Sequence, residues 1–150
     1  MWVESNKFRK LCDAGRTLAL EESCMSQKHS ALVLDDHGSI ISSGVNTFNR
    51  YEWRGKRHPG FHAEFNALRT LTPRHRKKLS MIILHPSPTL TEFKASKPCD
   101  MCLKNLQRWN IYKIYYVDPD TCQWVCQRTR NLSPRGYFTS FVRNNPHLFN

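Results

Sequence analysis

Four side chains in this 150-residue sequence have the types and spacing to hold a metal and run acid–base chemistry. They are His62 and Glu64 in a His-Ala-Glu tripeptide, and Cys99 and Cys102 in Pro98-Cys-Asp-Met-Cys. Cysteines three apart share one helix face, so both sulfurs can point at one ion, and Pro98 suits a helix entry, where no N–H is needed. A helix amino terminus favours anions and so supplies thiolates, the ligands that Zn2+ prefers. Two thiolates and the His62 imidazole make three protein ligands and leave a fourth tetrahedral position for water, the pattern of a catalytic zinc rather than a closed structural one. Glu64, two residues past His62, then stands beside that water as general base and acid, which makes the site hydrolytic. In a chain of this composition P-C-x-x-C arises by chance with a probability of about 0.01 and H-x-E with about 0.3, so the cysteine motif bears most of the weight.

The elements that must position these groups follow from hydrophobic periodicity. Phe8, Leu11, Cys12, Ala14, Leu18 and Leu20 predict an amphipathic helix over 4–22. Two β-prone runs, 30–36 and 39–45, flank His37-Gly38 and read as a hairpin. A basic, aromatic loop over 46–61 leads into a helix from His62 to about Leu71, which Pro73 ends. Met81 to His85 is a strand, the proline-broken stretch 86–97 a loop, Cys99 a helix start and Ile111 to Val117 a strand. From Asp118 a helix is expected through Arg130, then an aromatic tail. The order α, β, β, α, β, α, β, α in one domain spanning 1–150 predicts a mixed sheet in α/β layers, with parallel pairing in the second half.

At these residues the chain resembles the zinc-dependent cytidine deaminase superfamily, whose signature is H-x-E followed by P-C-x-x-C with the Glu as proton shuttle. The form His62-Ala-Glu-Phe-Asn-Ala-Leu looks most like the deoxycytidylate and tRNA-adenosine deaminase branches, and the likeness covers residues 30–117. It implies a three-layer α/β/α fold with a mixed, roughly five-stranded sheet and a zinc between two helix starts. It also implies that Ala63 offers its backbone N–H to the base and that Asn46, in Gly44-Val-Asn, contacts the sugar; Asn after Gly is equally a common turn pair. Two features depart from the family: the segments 46–62 and 84–98 are longer than its compact forms, and Lys97 stands where Glu or Ser is commoner. These departures bear on the substrate.

Charge gives the substrate its class. The net charge is +11, yet residues 1–49 and 79–120 together are neutral. Residues 50–78 hold nine basic and two acidic side chains, and residues 121–150 hold four basic and none acidic. Such concentration makes a local positive field for phosphates. Trp53, Arg54 and Arg57 in the first segment interleave aromatic and basic side chains, the way single strands are gripped. Trp124, Tyr137, Phe138 and Phe141 among arginines repeat that composition in the tail, where aromatic packing with solvated arginines is the simpler reading. The leading expectation is therefore cytosine-to-uracil deamination in single-stranded DNA or RNA, by a hydrolase acting on a cyclic amidine C–N bond. Deamination of free dCMP or CMP, adenosine-to-inosine deamination and a non-catalytic nucleic-acid-binding module stay open, the last disfavoured by Glu64. A homo-oligomer is left open too.

The remaining motifs are weaker. Cys122 and Cys126, four apart on the expected helix, read as buried thiols or, with a nearby His, as a second metal site. Cys12 and Cys24 carry no local motif. His29, His37, His75 and His147 read as surface residues, whereas His85, following a strand, is a pocket candidate. No apolar run exceeds four residues and the amino terminus lacks the apolar core of a secretory signal, so no membrane span and a cytoplasmic setting are expected.

Overall fold

A computed structural model describes residues 2–47, 51–53, 56–58, 61–71, 78–89 and 91–132, the side chains of 51–53 and 56–58 excepted. After a 3-10 turn at Trp2–Glu4, helix α1 runs from Asn6–Glu22, opened by the Ser5 hydroxyl, which accepts the Phe8 N–H at 3.2 Å. Its buried face, Phe8, Cys12, Gly15 and Ala19, repeats at helical spacing. Strands β1 (Ser30–Leu34) and β2 (Ile40–Val45) pair antiparallel as the sequence predicts. Their turn is set locally: Gly38 takes φ +78°, and the Asp35 carboxylate accepts the N–H groups of His37 and Ser39, each at 2.9 Å.

The segment 46–61 is not simply a loop. It contains a short antiparallel pair, β3 (Tyr51–Trp53) and β4 (Lys56–His58), and Thr47 and Phe61 exchange backbone hydrogen bonds of 3.1 and 3.2 Å that pinch its base shut. Helix α2 (Ala63–Arg69), strand β5 (Leu79–Leu84), helix α3 (Asp100–Arg108) and strand β6 (Ile111–Val117) follow near their expected positions. Asn110, at φ 58°, ends α3 in the left-handed conformation that asparagine tolerates.

The helix expected over 118–130 is instead a turn and a strand, β7 (Trp124–Arg128), antiparallel to β6 with Tyr115 opposite Cys126. Asp118-Pro-Asp-Thr is turn chemistry. The Asp118 carbonyl accepts the Cys122 N–H and its N–H donates to the Gln123 carbonyl, both at 2.9 Å, while Cys122 adopts φ 58°. The open edge of β6 then rewards a strand more than local spacing rewards a helix. A 3-10 turn at Thr129–Asn131 closes the described chain.

The sheet order is β2-β1-β5-β6-β7, with β5 and β6 the parallel pair. β1 and β5 are buried along their whole length because helices cover both faces. On one side α1 contributes Phe8 and Cys12 to a cluster with Leu32, Leu34, Ile82, Leu84 and Tyr115. On the other, α2 and α3 pack Ala63, Ala67, Leu68 and Leu106 onto Ala31, Val33, Met81, Ile83 and Ile114. Each fully buried aliphatic or aromatic side chain stabilises such a core by about 1.5–3 kcal/mol. The three-layer α/β/α expectation therefore holds, with β7 as the fifth strand. Among the described residues no helix is long and apolar enough to cross a membrane.

Candidate active site

Helices α2 and α3 begin side by side where β1 starts and β5 ends. Their N-cap residues are His62 (φ −71°, ψ 155°) and Cys99 (φ −70°, ψ 167°), so the ligands sit in extended backbone at the mouths of two helices, and Cys102 lies within the first turn of α3. His62 Nδ1 is 3.1 Å from Cys102 Sγ and 3.6 Å from Cys99 Sγ, and the three ligating atoms all fall within 4.8 Å of one another. Ligands at Zn–S and Zn–N bond lengths in a tetrahedron stand roughly 3.5–3.8 Å apart, so this donor set fits zinc with little rearrangement. Among the described residues it is the one cluster of metal-ligating type.

The electrostatics show groups competing for protons. The Cys99 thiol is pulled down to about 5, first by the hydrogen bond from Cys102, against burial, and then by His62. Cys102, fully buried, is pushed well above the ordinary thiol value by its bond to Cys99, by burial and by Glu64. His62 is lowered by burial but raised more by its bond to Cys99 and by the charges of Glu64 and Cys99, to about 9. Burying this many protonatable groups together is costly unless a cation replaces their protons.

Glu64, in the first turn of α2, is buried beside the ligands and lines a cavity of about 480 Å³ together with His62, Ala63 and Asn46. That volume lies within the range of small-molecule sites. Beside it α2 packs closely on β2. A Cβ on Gly44 would come 2.5 Å from the Ala67 nitrogen and 2.8 Å from the Ala63 carbonyl oxygen, and Asn66 Nδ2 ties the same strand by donating to the Val45 carbonyl at 2.7 Å. Gly44 is thus a packing residue in a strand, not half of a turn pair.

Asn46 lines the cavity, with its amide committed to the wall. Its Oδ1 accepts from Ser23 Oγ (2.7 Å) and the His29 N–H (2.9 Å), and Nδ2 donates to the Gln27 carbonyl (2.6 Å), which fixes residues 23–29 over the site. Of the other expected contacts, Arg54 and the side chains of Trp53 and Arg57 lie outside the described residues, as do His75, Tyr137, Phe138, Phe141 and His147.

One histidine changes its assignment. His29, expected at the surface, is half-buried in the cavity wall, where its ring stacks on His85 at 4.0 Å and 27°. His85 stands at the rim, 3.0 Å from Gln27 Oε1. Burial lowers His29, and burial together with His29 holds His85 down at about 4. The available signal was positional: His29 precedes β1 and His85 follows β5, and the sheet register sets Ser30 opposite Leu84. The long segment after β5 folds back on the strand, with Lys94 N–H donating to the His85 carbonyl at 2.8 Å, and Ser96 bridging Ile83 and Val117, which brings Lys97 into the cavity wall. Cys122 and Cys126 are exposed, on a turn and a strand, so neither the buried-thiol reading nor the shared helix face survives.

A family model described as the cytidine and deoxycytidylate deaminase zinc-binding region matches residues 5–118. No curated protein sequence matches the chain. Among solved structures, cytidine deaminase from Mycobacterium leprae shares 17% identity at a TM-score of 0.55, covering 88% of this chain and 100% of that one. Cytidine deaminase from Burkholderia pseudomallei shares 13% at 0.54, with 84% and 96% covered. The dCMP deaminase of cyanophage S-TIM5, in apo form, shares 20% at 0.51, with 76% and 85% covered. At these identities the likeness is one of fold.

Proposed function

The chain belongs to the cytidine and deoxycytidylate deaminase zinc-binding family, and on that premise we propose that it hydrolyses the exocyclic C–N bond of cytosine, releasing ammonia and leaving uracil. The observation that carries this reading is the burial of Glu64 at the floor of a nucleotide-sized cavity, directly beside the His62, Cys99 and Cys102 cluster. Zinc, when bound by those three residues, supplies a Lewis acid that makes water acidic enough to attack at neutral pH.

The remaining work belongs to the chain. Glu64 takes one proton from the attacking water and gives it to ring nitrogen N3, then takes the second from the hydroxyl now on C4 and gives it to the departing amine, so that both water protons are used, ammonia leaves and C4 becomes the carbonyl of uracil. The Ala63 N–H, in the first turn of α2 and without an intrahelical acceptor, is available to the base carbonyl. Asn46 holds the wall on which the sugar rests, and the buried aliphatic floor at Ile83 excludes bulk water.

The substrate we propose is cytosine in a single strand of DNA or RNA, with Trp53, Arg54 and Arg57 along the flanking nucleotides. Its support is the nine basic residues of 50–78, in a segment that contains the zinc ligand His62. A free nucleotide monophosphate is the second reading, favoured by Lys97, a cation in the cavity wall that suits one phosphate. The cyanophage neighbour is by name a deaminase of such a nucleotide.

Incubating the zinc-loaded protein with dCMP, CMP, single-stranded DNA and single-stranded RNA in parallel, and reading cytosine-to-uracil and adenosine-to-inosine products, tests the proposal. Uracil from the strands supports the first reading, and uracil from the monophosphates alone selects the second. Inosine as the sole product, or no product from any substrate, overturns cytosine deamination.

A further inference from the structure

One cation from each of the two segments that hold the chain's positive excess meets the other at a single tyrosine. Tyr112, the second residue of β6, has the Lys78 ammonium 5.0 Å and the Arg128 guanidinium 5.1 Å from its ring centre. Lys78 ends the first basic segment and Arg128 belongs to the acid-free second. Arg128 pairs across the β6–β7 ladder with Lys113, whose ammonium lies 5.6 Å from the centre of the Tyr115 ring. Aromatic faces hold all three cations in place.

Beside them opens a cavity of about 350 Å³, lined by Lys7, Lys78 and Lys113 along with Tyr112 and Tyr115. Asp35 and Asp36 also line it, so three lysines face two carboxylates: Asp35 accepts the two backbone N–H groups of its own turn, and Asp36 lies 3.7 Å from His37 Nε2. The Lys7 ammonium donates to the His37 carbonyl at 2.7 Å and its charge bears on Asp35, while the Lys113 ammonium is hydrogen-bonded with Tyr115. The cavity is distinct from the catalytic one. Ser80 lines the first and Ile83 the second, three residues and roughly 10 Å apart on β5. They also open on opposite layers, since Tyr115 belongs to the α1 cluster and Ile83 to the α2 and α3 cluster.

We propose that this lysine and tyrosine seat is a second phosphate-binding site, taking the phosphate ester of a nucleotide unit, either free or within a single strand. Three ammoniums around one cavity match the spread negative charge of a phosphate, and their fixed placement lowers the ordering cost of binding. The site requires no catalysis and does not rest on the deamination reading.

The test uses a fluorescent oligothymidylate of about 15 nucleotides, which offers phosphates but no cytosine, and follows anisotropy against salt. The double variant Lys78→Gln, Lys113→Gln should bind roughly tenfold more weakly at low salt, and its log–log salt slope should be shallower by about 0.7, the value for one single-strand phosphate no longer neutralised. Lys113→Arg, which keeps the charge, should restore about half of that difference when combined with Lys78→Gln. The zinc content of the double variant, and its kcat at saturating concentration of whichever cytosine substrate wild type turns over, should match wild type, which separates this site from the catalytic one. Because a variant can misfold, the wild-type protein supplies a second readout, in which saturating oligonucleotide shields Lys78 and Lys113 from acetylation. Shielding by dTMP as well identifies a free nucleotide as sufficient, and shielding by the strand alone identifies the polymer. Wild-type affinity and slope in the double variant, or full acetylation of both lysines under saturating strand, would overturn the site.

Discussion

Cys99, Cys102 and His62 are buried against one another, with Cys99 drawn toward the thiolate and Cys102 held as a thiol, and their enclosure predicts how the thiols behave. With zinc bound, Cys24, Cys122 and Cys126 are exposed and should react with a thiol reagent. Cys12 should stay silent, its thiol pushed up to about 12 by burial and by Asp13. A chelator should add Cys99 and Cys102 to the reactive set, and mass spectrometry of labelled protein reads the difference. A Cys99 that labels fully before chelation would contradict the ligand assignment. The stacked histidines make a second prediction. His85 titrates near 4 in the folded protein against 6.5 ordinarily, so the unfolded chain takes up the proton first. Its contribution to stability is complete above about pH 6.5 and is lost as pH falls toward 4. The denaturation midpoint of wild type should drop across that window more steeply than that of His85→Asn, and parallel curves would refute the linkage. The candidate metal cluster was legible in the sequence because each motif is local: His62 and Cys99 are N-caps and Cys102 a first-turn residue of their own helices. His29 was not, because its role depends on β1 and β5 lying side by side.

At the scale of elements, α2 packs closely on β2 beside the site. Gly44→Ala places a methyl against the α2 backbone, where no flexible side chain can yield. We expect a loss of about 1–3 kcal/mol of stability, read by chemical denaturation, and a larger loss in kcat than in zinc content as Ala63 and Glu64 are displaced together. Unchanged stability and activity would show that the helix has room it does not show. The hairpin at His37-Gly38 and helix α1 could be read from sequence, since a positive-φ glycine and an apolar stripe are local facts. Strand β7 could not. Thr121 to Arg130 has no strong period of its own, and the backbone groups that β6 offers to it come from tertiary pairing that no local window contains.

For the molecule as a whole, zinc joins two helices that the sheet otherwise holds apart in sequence by more than thirty residues. Because the folded chain presents the three ligands together and the unfolded chain does not, metal binding adds to stability by mass action. Removing zinc should lower Tm by several degrees in differential scanning calorimetry, and restoring it should recover both Tm and activity; an unchanged Tm would mean that the metal contributes nothing to the fold. Net charge was legible as a pointer to phosphates, but the meeting of Lys78 and Arg128 over the Tyr112 ring was not, since it depends on tertiary pairing. The central claim is that Glu64 moves the protons of a hydrolytic deamination. Its most direct test is ammonia release from a cytosine substrate by wild type and Glu64→Gln at equal measured zinc content. The account predicts equal zinc and a fall in kcat of roughly 10²–10⁴-fold in the variant. Turnover at the wild-type rate by zinc-loaded Glu64→Gln would contradict it.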